Sequence, residues 1–133
     1  MAATTVPNDP TIDDDWPLWR RVPRWWCVPD ENQGGVLRPS SAAFEDSPDG
    51  TAMSVVLGPE AHRLGRGPLH MLEGHPEFAV ATLTAGTARQ HGQGVIRDPL
   101  PEDPAHGLVH GPKPKSIRRK LAAASVWLVP PPP

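Results

Sequence analysis

VLRPSSAAFEDSPDGTAMSVVLGP, residues 36–59, holds the clearest succession of strand-like runs and turn signals in the chain. Residues 36–44 carry Arg38-Pro39-Ser40-Ser41 into Ala42, Ala43 and Phe44 and read as the entry to a strand. Ser47-Pro48-Asp49-Gly50 is a turn by its residue types, and Met53 to Leu57 is a short β-branched apolar run closed by Gly58-Pro59. Two runs around one turn predict an antiparallel hairpin.

Working outward, residues 59–75 mix Gly, Pro, Arg and His without a period and read as a long surface loop, with Pro59-Glu60-Ala61 able to open one helical turn. Residues 76–91 fit a helix: Pro76 at its start, Glu77 in the first turn, Phe78, Ala81 and Ala85 along one face, and Gly92 beyond the end. Val95-Ile96 and residues 106–110 are short strands flanking a proline-rich turn, and Ser116 can cap a last helix bearing Ile117, Leu121, Ala124 and Leu128 on one stripe. Upstream, residues 16–28 alternate bulky apolar and basic side chains but are broken by Pro17 and Pro23, which predicts an edge strand. No repeat of solenoid period is visible. The expected fold class is α+β, a small mostly antiparallel sheet with two helices packed on one face.

Length and composition set the organisation. The 133 residues fit one domain, while 19 prolines and 12 glycines demand short, interrupted elements. Residues 1–15 are small, polar and acidic and predict a flexible arm, residues 16–129 a single globular domain, and residues 130–133 a proline tail. A net charge of −2 implies no general attraction to nucleic acid or to a membrane. A lone Cys27 precludes an internal disulfide and favours a reducing, cytoplasmic setting. No basic n-region with an apolar h-region opens the chain, and no run approaches the roughly 18 apolar residues of a membrane span.

Several groups carry candidate chemistry. His106 is the best candidate acid or base, because imidazole exchanges protons near neutral pH, and Asp103 is the neighbour that a turn could fold back to orient it. His110 would share a strand face with His106 at about 13 Å, too far for one metal ion, so no metal and no cofactor is implied. Arg38 offers a planar guanidinium beside the Ser40 and Ser41 hydroxyls, a set suited to phosphate, with Ser41 a candidate catalytic hydroxyl. Lys115, Arg118 and Arg119 belong to the one dense basic cluster, 113–120, and are candidate nucleic-acid contacts, although Arg118, Arg119 and Lys120 fan across about 200° of a helix. Trp19, Trp25 and Trp26, with Trp16, form a ribbon able to bind a partner or stack on bases. With two phenylalanines and no tyrosine elsewhere, some of these tryptophans must also fill the core.

Arg20-Arg21 followed by Ser40-Ser41 resembles the arginine strand and serine strand of ADP-ribosyltransferases, which grip a dinucleotide with those groups. The resemblance spans two short elements. Those enzymes also place a catalytic glutamate late in the chain, whereas the acidic residues after 76–91 are Asp98, Glu102 and Asp103, all in a proline-rich turn.

Three functions are compatible with these residues. The leading expectation is an interaction module binding a protein partner through the tryptophan ribbon. The alternatives are a small enzyme acting on a nucleotide or RNA phosphate, with His106 as acid or base and Arg38, Ser40 and Ser41 as phosphate contacts, and a nucleic-acid-binding regulator using the basic cluster.

Overall fold

The computed structural model describes residues 6–133. Its strands are β1 (Pro17–Pro23), β2 (Cys27–Asp30), β3 (Val36–Pro39), β4 (Met53–Leu57), β5 (Phe78–Thr84), β6 (Gly94–Arg97), β7 (His106–His110) and β8 (Val126–Val129), and its helices are α1 (Gly58–Arg63), α2 (Ala85–Gln90) and α3 (Lys115–Ala124). Six strands form one antiparallel sheet in the order β6-β7-β4-β1-β5-β8, and β2-β3 form a separate two-stranded ribbon.

The fold class is α+β. On one face of the sheet the main core gathers Leu18, Val22, Met53, Val55, Leu57 and Val109 with Ala85 and Ala88 of α2 and Leu121 of α3. The opposite face carries a smaller cluster of Trp19, Val80 and Ala105, closed by Ala61 of α1. Two helices therefore share one face and a third covers the other. Strand alternation divides β1 between them: Leu18 and Val22 point into the main core and Trp19 into the smaller cluster.

Several elements depart from their sequence expectations for identifiable reasons. The hairpin between 36–44 and 53–57 does not form. Pro39 ends β3, Ser41–Phe44 winds a 3-10 turn that buries Ala43 and Phe44, and β3 pairs with β2 through Cys27↔Pro39 to Asp30↔Val36. Residues 16–28 do not form an edge strand, because Pro17 and Pro23 are the first and last residues of β1 and leave the positions between them free to bond β4 and β5. The expected helix over 76–91 is a strand over Phe78–Thr84 and a helix only over Ala85–Gln90. Val80 and Thr82 suit an extended chain paired along its length with β1, and the helix begins only where the Thr84 hydroxyl accepts a hydrogen bond from the Thr87 amide. The last helix stops at Ala124, and Val126 to Val129 continue as β8.

The expected flexible arm lies partly outside the described residues, at 1–5. Residues 6–15 pack against the β6 edge: the Asp9 amide donates to the Val95 carbonyl at 2.8 Å, the Val95 amide donates to Asn8 Oδ1 at 3.1 Å, and Ile12 is fully buried. Arg89 donates to Asn8 Oδ1 and to Asp14 Oδ1, and Arg97 donates to Asp9 Oδ2 and Thr11 Oγ1. Acidic groups that look like solvated spacers in the sequence are partners for two arginines some eighty residues away. Gly94 has no side chain because the Pro7 carbonyl occupies the space a Cβ would need.

Candidate functional site

A concave cavity of about 670 Å³ opens on the α1 face of the sheet, within the size range of small-molecule sites. Trp19, Val56 and His106 from three adjacent strands line it, together with the 3-10 turns Arg24–Trp26 and Pro68–Leu72 and the loop 98–105. His106 begins β7, and its amide donates to the Asp103 carbonyl at 3.1 Å. Its ring is oriented by Asp98 rather than Asp103: Nδ1 lies 3.0 Å from the Asp98 carbonyl and 3.1 Å from Asp98 Oδ2. Both acceptors lie on the Nδ1 side, so Nε2 is the nitrogen left to the cavity. The β6–β7 register makes this pairing, because Arg97 faces Gly107 and the Asp98 amide donates to the His106 carbonyl at 2.9 Å.

The aromatic wall is built around Phe78. Trp25 meets it edge-on with ring centroids 5.4 Å apart, His75 does so at 4.9 Å, and the Arg21 guanidinium lies 5.5 Å from the ring centre. Arg21 also donates to the Met71 carbonyl at 3.2 Å, and burial pushes its pKa down while Asp103 pulls it back. Arg66 approaches the Asp103 carboxylate at 3.9 Å, so this carboxylate balances two guanidiniums. Glu73 and Glu102 complete the polar rim.

The candidate residues divide between two places. His106, Trp19, Trp25 and Trp26 line this cavity, whereas Arg38, Ser40 and Ser41 line a second groove with Lys115, Arg119 and Trp127. The expected assembly of Arg38, Ser40 and Ser41 around His106 does not form, because the 3-10 turn after β3 docks on the main-core face. Arg118 leaves the basic cluster to bond Glu45 at 2.9 Å and the Lys113 carbonyl at 3.1 Å. Trp19 is buried, Trp26 half-buried, and Trp25 is 65% exposed, so the ribbon presents one indole rather than a continuous patch.

Asp98, Arg66 and Phe78 were not singled out by the sequence. Asp98 was the most recoverable of them, since a β6–β7 pairing in this register sets it across from His106. Arg20 and Ser40-Ser41 do not share a site either: Arg20 donates to the Ala43 and Ser54 carbonyls, each at 2.8 Å. Comparison of the chain with protein-family models, with curated proteins and with solved structures finds no match, so these sites are read from their geometry alone.

Proposed function

We propose that the His106 cavity is the site of a small enzyme acting on a nucleotide. The observation that carries this reading is His106, held by two acceptors on Nδ1 with Nε2 left to a cavity walled by Trp25 and Phe78 and flanked by Arg21 and Arg66. In this arrangement Nε2 takes the proton of a water or hydroxyl attacking the phosphorus, and the Asp98 carboxylate stabilises the imidazolium that forms. The P–O bond to the leaving group breaks as the new one forms. The base stacks on the Trp25–Phe78 wall, and the phosphate competes with Asp103 for the two guanidiniums.

Incubation with a panel of nucleoside mono- and diphosphates and a dinucleotide, followed by chromatography, tests the reading. Turnover should fall at least about 100-fold in His106→Gln while binding, followed by tryptophan fluorescence, persists. Absence of binding up to about 1 mM, which is weaker than about −4 kcal/mol, or equal turnover in the variant, rejects it.

A second reading is supported by the 65% exposure of Trp25 and the 68% exposure of Leu69 on the neighbouring turn. Such residues suit a peptide-like protein partner anchored by an indole. Under that reading Trp25→Ala abolishes capture of the partner and His106→Gln leaves it intact.

A further inference from the structure

The second groove, of about 1130 Å³, lies between the β2–β3 ribbon, α3 and the start of β8, and is lined on the side of the main core. Two sets of residues far apart in the sequence meet there: Arg38, Ser40 and Ser41 from the ribbon side, Lys115 and Arg119 from α3. Lys115 and Arg119 are one helical turn apart and share a face of α3, with their origins separated by about 6 Å along the axis.

These three cations differ from their neighbours in what they touch. Lys113 is bound to Asp46 at 2.6 Å and to the Val109 carbonyl, and Arg118 is bound to Glu45. Among the described residues Lys115 and Arg119 have no carboxylate partner, and Arg38 has only a 3.5 Å contact with the Pro39 carbonyl. The fold thus neutralises Lys113 and Arg118 and leaves Lys115 and Arg119, which line the groove, available; Lys120 has no carboxylate partner among the described residues either but lies outside the groove lining. The ribbon side also carries two acids, Glu31 and Asp30, the latter accepting from the Asn32 amide at 3.0 Å, so the groove sets three cations against two carboxylates. Trp127 stands in the wall with its Nε1 donating to the Leu37 carbonyl at 2.9 Å, which fixes the indole as a rigid platform. The exposed amides of Asn32 and Gln33 lie at the rim.

We propose that this groove binds a short stretch of single-stranded nucleic acid, with phosphates on Arg38, Lys115 and Arg119, a base on Trp127, and base-edge contacts from Asn32 and Gln33. Cations spread over two facing elements suit a ligand with repeated phosphates. Planar bases give the aromatic wall and the rim amides partners that a single phosphorylated side chain would not. The site is separate from the His106 cavity and does not depend on the function assigned there.

Fluorescence anisotropy of a labelled uridine-rich 12-mer, read on the full chain, decides the matter. Three phosphate contacts on a single strand predict a logarithmic salt slope of about −2, or about 20-fold weaker binding at about 200 mM than at about 50 mM salt. Lys115→Gln and Arg119→Gln, both at exposed helical positions, should each lower the magnitude of that slope by about 0.7. The triple variant with Arg38→Gln should bind weakly and without salt dependence. His106→Gln should leave strand binding unchanged, so that a failure of the cavity reading is not mistaken for a failure of this one. The proposal is overturned by no anisotropy change at about 50 mM salt, by a slope that the triple variant retains, or by a phosphoserine peptide that displaces the strand at lower concentration than unlabelled oligonucleotide.

Discussion

His106 and Asp98 face each other across the end of the β6–β7 pair, with Nδ1 of the one 3.1 Å from a carboxylate oxygen of the other and 3.0 Å from its carbonyl. Two acceptors at one nitrogen fix the tautomer, so neutral His106 carries its proton on Nδ1 and offers a lone pair at Nε2. Long-range ¹⁵N–¹H correlation spectra should show that pattern. Asp98→Asn should preserve it through the backbone carbonyl while lowering any turnover, because the charge that steadies the imidazolium is gone. A dominant Nε2–H form would remove His106 as the base.

The extent to which this site was legible follows from the kind of information each part needs. His106 stood out because an imidazole is chemically conspicuous by itself. Asp98 required a strand register, and its place opposite His106 is set by Arg97↔Gly107 pairing rather than by sequence separation. The split of the basic run needed Glu45 and Asp46, which meet Arg118 and Lys113 only after the Ser41–Phe44 turn has docked on α3. In the fold, the α+β class and the β6–β7 partners were readable from local runs. Residues 78–84 misled because Phe78 and Ala81, at helical spacing with Ala85, also satisfy a strand buried on both faces, and pairing with β1 decided between them.

Ile12 tests whether the segment 6–15 belongs to the domain. It is fully buried among the main-core residues, although eight of the other nine residues of the segment are polar, acidic or proline. Ile12→Ala should lower unfolding stability by about 2–5 kcal/mol, the cost of an aliphatic truncation in a packed core. Urea denaturation measures it, and a loss below about 0.5 kcal/mol, typical of a surface change, would mean that the segment is dispensable.

Asp9 should make the same segment sensitive to acid. The Thr11 hydroxyl and amide, and after them Arg97, hold the Asp9 carboxyl below its ordinary value of 3.8. The unfolded chain therefore binds this proton more tightly, so the contribution of Asp9 is complete above the ordinary value and is lost as pH falls through the folded one. Asp9→Asn should shrink the difference in urea midpoint between about pH 6 and about pH 3. An undiminished difference would place the acid sensitivity elsewhere, with Asp49, which is similarly held by Thr51, the next carboxylate to replace.

Arg20 is a half-buried cation held by backbone carbonyls. Its Nε donates to Ala43 and its Nη1 to Ser54, which ties the Ser41–Phe44 turn to β1 and β4. Burial, and then repulsion from Arg21, push its pKa down from the ordinary guanidinium range to about 10 against the pull of Asp46. Because the folded pKa is the lower one, this group opposes folding below about pH 10 and the penalty lifts as pH rises above it toward the ordinary guanidinium value. At neutral pH its worth must then come from the two carbonyls it satisfies. Arg20→Met keeps much of the side-chain volume and removes the charge, but leaves both carbonyls without their donor, at about 1–3 kcal/mol each. The desolvation relieved by losing the charge offsets part of that cost, so a net loss of about 2 kcal/mol is expected in urea denaturation. A more stable variant, the outcome known for some buried ion clusters replaced by apolar groups, would show that the turn stays docked through Phe44 and Ala43 packing without the guanidinium.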